Sequence, residues 1–317
     1  MKIVFMGTPD FAVPVLHMLV ENGYDIALVV TQPDRPKGRK QLLSPPPVKV
    51  AAEELNIPVF QPEKIKHEEE WKTVKEVAPD LIVTAAFGQI LPKELLDIPP
   101  KGCINVHASL LPKYRGGAPI HQSVIDGEKE TGITIMYMVE KLDAGDIISQ
   151  KAIPILDEDT TGTMHDKLSR LGADLLQETI PTIQEEKVQA VPQDQDLVTF
   201  APNIKKEQEL IHWDSPARSI FNQIRGLNPW PVGFTTVHGK RFKIWESVVV
   251  SKQTDAEPGT VVEMTNESIR IACGKGTVLA LTKVQPSGKK PMDVSTFVRG
   301  AGNTWTVGMR LGEDAHE

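Results

Sequence analysis

The sequence predicts an α/β protein: a Rossmann-like, mostly parallel sheet in the N-terminal part, followed by a smaller, OB-like β-barrel. Two observations carry this reading. Strand and helix patterns alternate from residue 2 to residue 187, and such alternation calls for helices on both faces of a parallel sheet. After a turn-rich stretch the texture changes to five or six short strands within about 100 residues, separated by Gly, Asn and Pro turns, which is the pattern of a small barrel. A chain of 317 residues with 40% apolar content buries enough surface for both parts. The predicted division is a first domain at 1–189, a linker at 190–206 (AVPQDQDLVTFAPNIKK) and a second domain at 207–317.

Taken in order, KIVFM (2–6) is a buried strand, and GTPDFAVPVLHMLVENG opens a helix with Thr8 as its cap, Pro9 near the first turn and Gly23 as its stop. DIALVVT (25–31) is the second strand. The stretch 32–49 is dense in Pro and is expected to be a loop. VKVAAEELNI forms a short amphipathic helix, and 63–77 a charged surface helix. LIVTAAF (81–87) and CINVHA (103–108) have the continuous apolar content of central strands. A helix at 117–127 ends at Gly127, strands follow at 132–139 and 146–155, and a long helix covers 162–187. Beyond the linker, SPARSIFNQIRGLNP holds a short helix. The barrel strands are GFTTVHG, KRFKIWESVVV, GTVVEMT, SIRIACGKG, TVLALTKVQP and a last piece near DVSTFVRG.

Composition excludes several classes. The net charge of −7 argues against a protein that coats nucleic acid indiscriminately, but residues 207–310 carry 13 Lys and Arg against 9 Asp and Glu. That half can meet a polyanion through local patches. Cys103 and Cys273 lie in separate apolar runs, so neither a disulfide framework nor a metal cluster is indicated. No metal is expected. The apolar start is too short for a signal segment and no run approaches a membrane span; a soluble, cytoplasmic protein with no membrane association is the expectation. The first strand-helix turn, GTPDF, lacks the G-x-G-x-x-G spacing, and no acidic residue ends the second strand, so a dinucleotide site is poorly supported. A P-loop lysine is absent as well.

The richest stretch runs from Asn105 through His107 to Pro112, followed by Tyr114-Arg115-Gly116-Gly117 and, later, Leu142-Asp143-Ala144-Gly145-Asp146. Side chains at i and i+2 on a strand share one face, so Asn105 and His107 project together where a strand meets a loop. A carboxylate from a later loop completes a set of one amide, one imidazole and one acid. Those groups hold and deprotonate an amine and stabilise an oxyanion. An Asn and a His on a strand can also satisfy buried backbone groups, and an Asp before Ala-Gly can be a turn former; it is their combination that favours chemistry. His17, His67, His165, His212 and His238 lack comparable partners, and packing or capping is the default role for His121.

The segments MKIVFMGTPDFAVPVL, FGQILP (87–92), INVHASLLPKYRGGAPI and LDAGDI, in this order and at these separations, closely resemble the formyltetrahydrofolate-dependent transferases. The Pro-rich basic insert and the appended barrel resemble the branch that formylates methionyl-tRNA. The likeness runs from residue 1 to about 190 and continues more weakly through the second domain.

The resemblance implies formyl transfer from 10-formyltetrahydrofolate to the α-amine of methionine on initiator tRNA, for translation initiation. Asn105, His107 and Asp143 would then be catalytic. The amine attacks as a free base, and an α-amino group with a pKa of roughly 7.7–8 is already largely neutral near pH 7 once esterification lowers it further. Asn105 would donate to the developing oxyanion, and a protonated His107 could do the same. Asp143 would orient and charge His107 in a proton relay to the leaving folate nitrogen; which group takes the first proton stays open.

Ser109, Leu110, Leu111 and Pro112 match the family's folate-binding segment, and Phe87, Gly88, Gln89, Ile90 and Leu91 would line the pterin pocket with apolar walls and backbone groups. Arg35, Lys37, Arg39 and Lys40 in the insert would clamp the acceptor-stem phosphates. Lys205 and Lys206 would assist, with Arg241, Lys243, Lys289, Lys290 and Arg299 as further phosphate-contact candidates. A monomer is expected. The alternative acceptor is a small amine, either glycinamide ribonucleotide or an amino-sugar nucleotide.

Overall fold

The computed structural model describes residues 1–38 and 41–312, so Arg39 and Lys40 of the insert lie outside the described residues. Two compact units result, each assembled from more than one stretch of chain. The first comprises Met1–Pro119, Glu130–Pro154 and His165–Pro202; the second comprises Ile120–Lys129, Ile155–Met164 and the chain from Asn203 onward.

The strands of the first unit are β1 (Lys2–Gly7), β2 (Asp25–Val30), β3 (Arg35–Lys37), β4 (Leu42–Ser44), β5 (Val59–Phe60), β6 (Leu81–Ala85), β7 (Cys103–His107), β8 (Glu130–Tyr137) and β9 (Ile147–Pro154). Between and after them in the chain run the helices α1 (Val13–Glu21), α2 (Pro47–Glu54), α3 (Glu68–Val77), α4 (Lys93–Leu96), α5 (Pro119–Ile125) and α6 (Thr161–Gln184), of which α5 from Ile120 and the first turn of α6 to Met164 are grouped with the second unit. Seven strands form one sheet in the order β5-β2-β1-β6-β7-β8-β9. The pairs from β5 to β7 are parallel, and β8 and β9 complete the sheet antiparallel.

The apolar runs behave as a doubly covered sheet requires: Ile3, Val4, Phe5 and Met6 of β1 are all fully buried. Even-numbered strand residues Val4, Met6, Leu28, Val30 and Ile82 pack with Val74 of α3 and Leu95 of α4. The opposite face carries α6. A Cβ added to its Gly172 would stand 2.9 Å from Val106 and 3.7 Å from Ile133, so only glycine lets this helix lie so close across β7 and β8.

Two sequence expectations are corrected in this unit. Thr8 is not a helix cap: a 3-10 turn at Asp10–Ala12 intervenes, α1 starts at Val13 with Pro14 in its first turn, and Thr8 Oγ1 instead donates to the Phe87 carbonyl at 2.8 Å. The insert is not a plain loop. Arg35–Lys37 and Leu42–Ser44 pair as an antiparallel hairpin, with Gly38 (φ +72°) and Gln41 (φ +50°) turning the chain. Proline is tolerated because both strands of a two-stranded ribbon are edges.

The second unit holds α7 (Ala217–Gly226), β10 (Phe234–Val237), β11 (Lys240–Val250), β12 (Val261–Met264), β13 (Ile269–Ala272), β14 (Val278–Pro286), β15 (Met292–Asp293) and α8 (Val294–Arg299). Its antiparallel sheet follows β10-β11-β14-β13-β12, with β15 on β14, and curls into a half-barrel. The core includes Trp213, Ile220, Ile244, Leu279 and Val284, and Phe242, Phe297 and Trp305 stack with centroids 5.1–5.4 Å apart. The expected last strand near 293–300 is helix α8. Val294 and Phe297, three residues apart, are both buried, a helical rather than a strand spacing. Among the described residues no helix is long and apolar enough to cross a membrane.

Candidate active site

In an open α/β sheet, ligands meet the carboxyl ends of parallel strands where the strand order reverses. That point lies between β1 and β6, and β7, carrying Asn105 and His107, is the next strand along. Val106 turns toward α6, so Asn105 and His107 share the other face with Cys103, which belongs to the cluster under α3 and α4.

Asn105 is registered against Thr84 of β6. Thr84 Oγ1 donates to Asn105 Oδ1 at 2.8 Å. The Asn105 oxygen is the nearest of three acceptors around this hydroxyl, with the Ile104 carbonyl at 3.1 Å and Met138 Sδ at 3.2 Å, and facing Oδ1 to Thr84 leaves Nδ2, a two-proton donor, on the other side. Thr84 was not singled out in the sequence; its signal is the strand register, which only the fold supplies.

His107 is 6% exposed. Its Nε2 lies 3.1 Å from the Tyr114 carbonyl oxygen, and a carbonyl only accepts, so Nε2 carries a proton. Nδ1 then faces Asp143 Oδ1 at 3.7 Å, a separation longer than a hydrogen bond. The ring is therefore oriented by Tyr114, with Asp143 set beside the free nitrogen.

Asp143 is brought in by the loop between β8 and β9. Its Oδ2 accepts from Gly116 N at 2.8 Å. Asp143 and Tyr114 both sit in the left-handed region, with φ of +46° and +63°, a conformation that non-glycine residues hold only when their surroundings enforce it. Gly145 is dictated by space, since a Cβ there would overlap the Tyr137 carbonyl. Arg115 is 1% exposed, and its Nε and Nη2 donate to Gln193 Oε1 at 3.1 and 2.7 Å. Burial pulls the Arg115 pKa below the ordinary arginine value, and the Asp143 charge opposes that shift.

The 109–112 segment packs against β8 and β9. Thr134 Oγ1 donates to the Ser109 carbonyl at 2.6 Å and accepts from Leu111 N at 3.1 Å, while Gln150 Nε2 donates to the Leu111 carbonyl at 2.7 Å. Ser109 Oγ donates to Lys113 O at 2.7 Å. Leu110 and Pro112 are half-buried beside this ladder.

In the segment after β6, Phe87 and Leu91 belong to the core cluster, and Gln89 is tied to Ile65 N and to the Pro62 carbonyl at 2.7 and 3.0 Å. Gly88 (φ +87°) and Ile90, 74% exposed, face outward. The structure thus divides this segment, which the sequence reading assigned as a whole to the pterin pocket, into two anchors, one bracing amide and two outward positions.

The basic residues are distributed over both units. Arg35 pairs with Glu63 at 3.0 Å with both side chains exposed, and Lys37 sits on β3. Lys205 and Lys206 are exposed at a 3-10 turn in the second unit. There, Arg241 lies 3.8 Å over the Phe234 ring, Lys243 donates to the Pro231 carbonyl at 3.0 Å and His121 Nε2 bonds the Trp230 carbonyl at 3.2 Å. Among the described residues no group of three His, Cys, Asp or Glu side chains could hold a metal ion.

Residues 1–180 match the model of the formyl transferase family, and residues 203–302 match that of the formyl transferase C-terminal domain. A methionyl-tRNA formyltransferase of Halalkalibacterium halodurans is 60% identical over 312 residues, covering 98% of each chain. One from Bacillus subtilis is 60% identical over 300 residues, covering 95% of each. Among solved structures, an N-formyltransferase of Helicobacter canadensis in complex with folinic acid and dTDP-3-aminofucose superposes with a TM-score of 0.68 at 20% identity, over 90% of this chain and 99% of that one; it shares the fold. On these matches, the chain belongs to the formyl transferase family.

Proposed function

We propose that this chain transfers the formyl group of 10-formyltetrahydrofolate to the α-amine of methionine on initiator tRNA, yielding formylmethionyl-tRNA for translation initiation. The observation that carries the reading is the Asn105, His107 and Asp143 set at the end of β7, with Asp143 Oδ1 3.7 Å from His107 Nδ1. The names of relatives 60% identical over nearly the whole chain support tRNA as the acceptor.

10-Formyltetrahydrofolate supplies an activated one-carbon unit whose carbonyl carbon is attacked by the amine. The residues present fit such a co-substrate. Gly88 and Ile90 offer exposed backbone and an apolar wall next to the strand end, and the 109–112 segment is held firm by Thr134 and Gln150. Asn105 Nδ2 donates to the formyl oxygen as negative charge builds there, a contribution of the size whose loss typically costs about 10²–10³ in rate. His107 Nδ1 takes the proton that the amine loses and returns it to the departing folate nitrogen, so one carbon–nitrogen bond forms as another breaks and the protons balance. Asp143 beside it stabilises the ring while the ring carries the extra proton.

In this reading 1–189 is the catalytic domain, 190–206 the linker and 207–317 the tRNA-binding barrel; the two family matches, to 1–180 and 203–302, support that division. One chain supplies every group named, so a monomer suffices, and cytoplasmic work suits the two free, buried cysteines. The deciding assay offers 10-formyltetrahydrofolate with charged initiator tRNA, glycinamide ribonucleotide and an amino-sugar nucleotide as competing acceptors. Formylmethionyl-tRNA is the expected product. Formylation of either small amine in its place would replace the reading.

A further inference from the structure

We propose that Gln193 is a positioning residue for the Asp143 carboxylate, its side-chain amide holding the Asp143 loop against the Arg115 loop. The inference rests on the role given to Asp143 above. Gln193 is 6% exposed and uses both ends of its amide on these two loops. Nε2 donates to the carbonyls of Asp143 and Gly145, each at 2.8 Å. Oε1 accepts twice from Arg115, at 3.1 and 2.7 Å.

The neighbouring chain fixes where that amide stands. Val191 and Ile147 exchange backbone hydrogen bonds of 2.8 and 2.9 Å, Arg115 N donates to Thr199 O at 2.9 Å, and Ala201 N donates to Arg115 O at 2.7 Å. Residues 191–201 therefore strap together the loop that carries Asp143 and the loop that carries Tyr114, Arg115 and Gly116. Gly116 N in turn holds Asp143 Oδ2, and Tyr114 O holds His107. These two bonds, which aim the acid and the imidazole, both pass through the two loops. Asp143, at φ +46°, needs its surroundings to keep that conformation, and the two Nε2 bonds span the turn in which it occurs. An amide alone does both tasks: a carboxylate could serve Arg115 but would face the carbonyls of Asp143 and Gly145 with no proton to give.

The test compares Gln193→Glu, which keeps the volume and the acceptors for Arg115, with Gln193→Met, which removes all four bonds. The first readout is hydrogen exchange at Gly116 N–H, expected to speed by about tenfold or more in either variant as its bond to Asp143 loosens. The second is kinetic. With formyl transfer to Met-tRNA as the assay, kcat is expected to fall by about 10- to 100-fold while KM for each substrate stays within about threefold. In an Asp143→Asn background, the same substitutions should lower kcat by less than about twofold, because the group they position is already gone.

Losses of equal size in both backgrounds would assign Gln193 to the core alone and overturn the proposal. So would folded variants with unchanged turnover and unchanged Gly116 exchange, or failure of both variants to fold. A wild-type protein inactive on Met-tRNA would count against the functional reading and leave the exchange measurement to decide the positioning role.

Discussion

His107 Nε2 and the Tyr114 carbonyl oxygen stand 3.1 Å apart, and this contact decides which ring nitrogen holds a proton. A carbonyl accepts and never donates, so Nε2 keeps its proton, and in the proposed reaction exchange with substrate falls to Nδ1, on the side of Asp143. His107→Ala should lower turnover by about 10²–10⁴ while tRNA affinity changes little. Nitrogen chemical shifts of the neutral imidazole should report the proton on Nε2 and none on Nδ1. A neutral ring protonated on Nδ1 would contradict this arrangement.

Thr84 makes a second, subtler prediction. Its hydroxyl anchors Asn105 Oδ1 at 2.8 Å, and Thr84→Val removes the hydroxyl at nearly constant volume. The Asn105 donor is then free to rotate, so kcat should fall by about tenfold, less than the 10²–10³ expected for Asn105→Ala. KM should hold for both substrates. A Thr84→Val enzyme with wild-type kcat would mean that the amide is oriented by something else.

The parts of the site that the sequence made visible are those set by local spacing. Asn105 and His107 share a face because strand side chains alternate, and the apolar runs of β1, β6 and β7 need burial on both sides. Asp143 was recognisable by its motif, but its backbone conformation and its contact with Gly116 depend on a loop crossing from β8 to β9. Gln193 looked like part of a polar linker, since nothing local distinguishes an amide that spans two loops from one in water. Thr84 was hidden in the same way, its role arising from the register of β6 against β7. The α8 segment misled because Val, Thr and Phe favour strands on propensity, while tertiary packing of Val294 and Phe297 on the barrel decides for a helix. The hairpin at 35–44 was masked by its prolines, which read as loop until Gly38 and the edge position of both strands are taken into account.

Both cysteines predict an alkaline signature. Burial pushes the Cys103 and Cys273 thiols up to about 12, against about 8.5 in an unfolded chain. The native protein should leave a thiol reagent at pH 8 unreacted, and both thiols should react after unfolding. Since the folded pKa values are the higher ones, their contribution to stability is full below about pH 8.5 and is lost as pH rises toward about 12, the unfolded state ionising first. Replacing both cysteines with alanine should flatten the fall in urea-unfolding stability between pH 8 and pH 10. An equally steep fall would place the alkaline loss elsewhere.

The hairpin insert gives a prediction in ionic strength. Arg35 is paired with Glu63 at 3.0 Å, but both side chains are exposed, and a pair of that kind is worth at most about 1 kcal/mol, so Arg35 can exchange its partner for a phosphate. Lys49 differs: Asp34 holds it at 2.9 Å, and the hydrogen bonds from Gln61 and Lys49 keep the Asp34 carboxyl below the usual carboxylate range, which commits this cation to the base of the hairpin. Each phosphate neutralised adds about 0.7–0.9 to the slope of log affinity against log salt. Replacing Arg35, Lys37, Arg39 and Lys40 together with Gln should therefore weaken Met-tRNA binding and reduce that slope by up to about 3 to 4, with kcat at saturating tRNA little changed. Lys49→Gln should leave the slope nearly as it was. A quadruple variant with the wild-type slope would remove the insert from the tRNA interface and leave phosphate contact to the cations of the second unit.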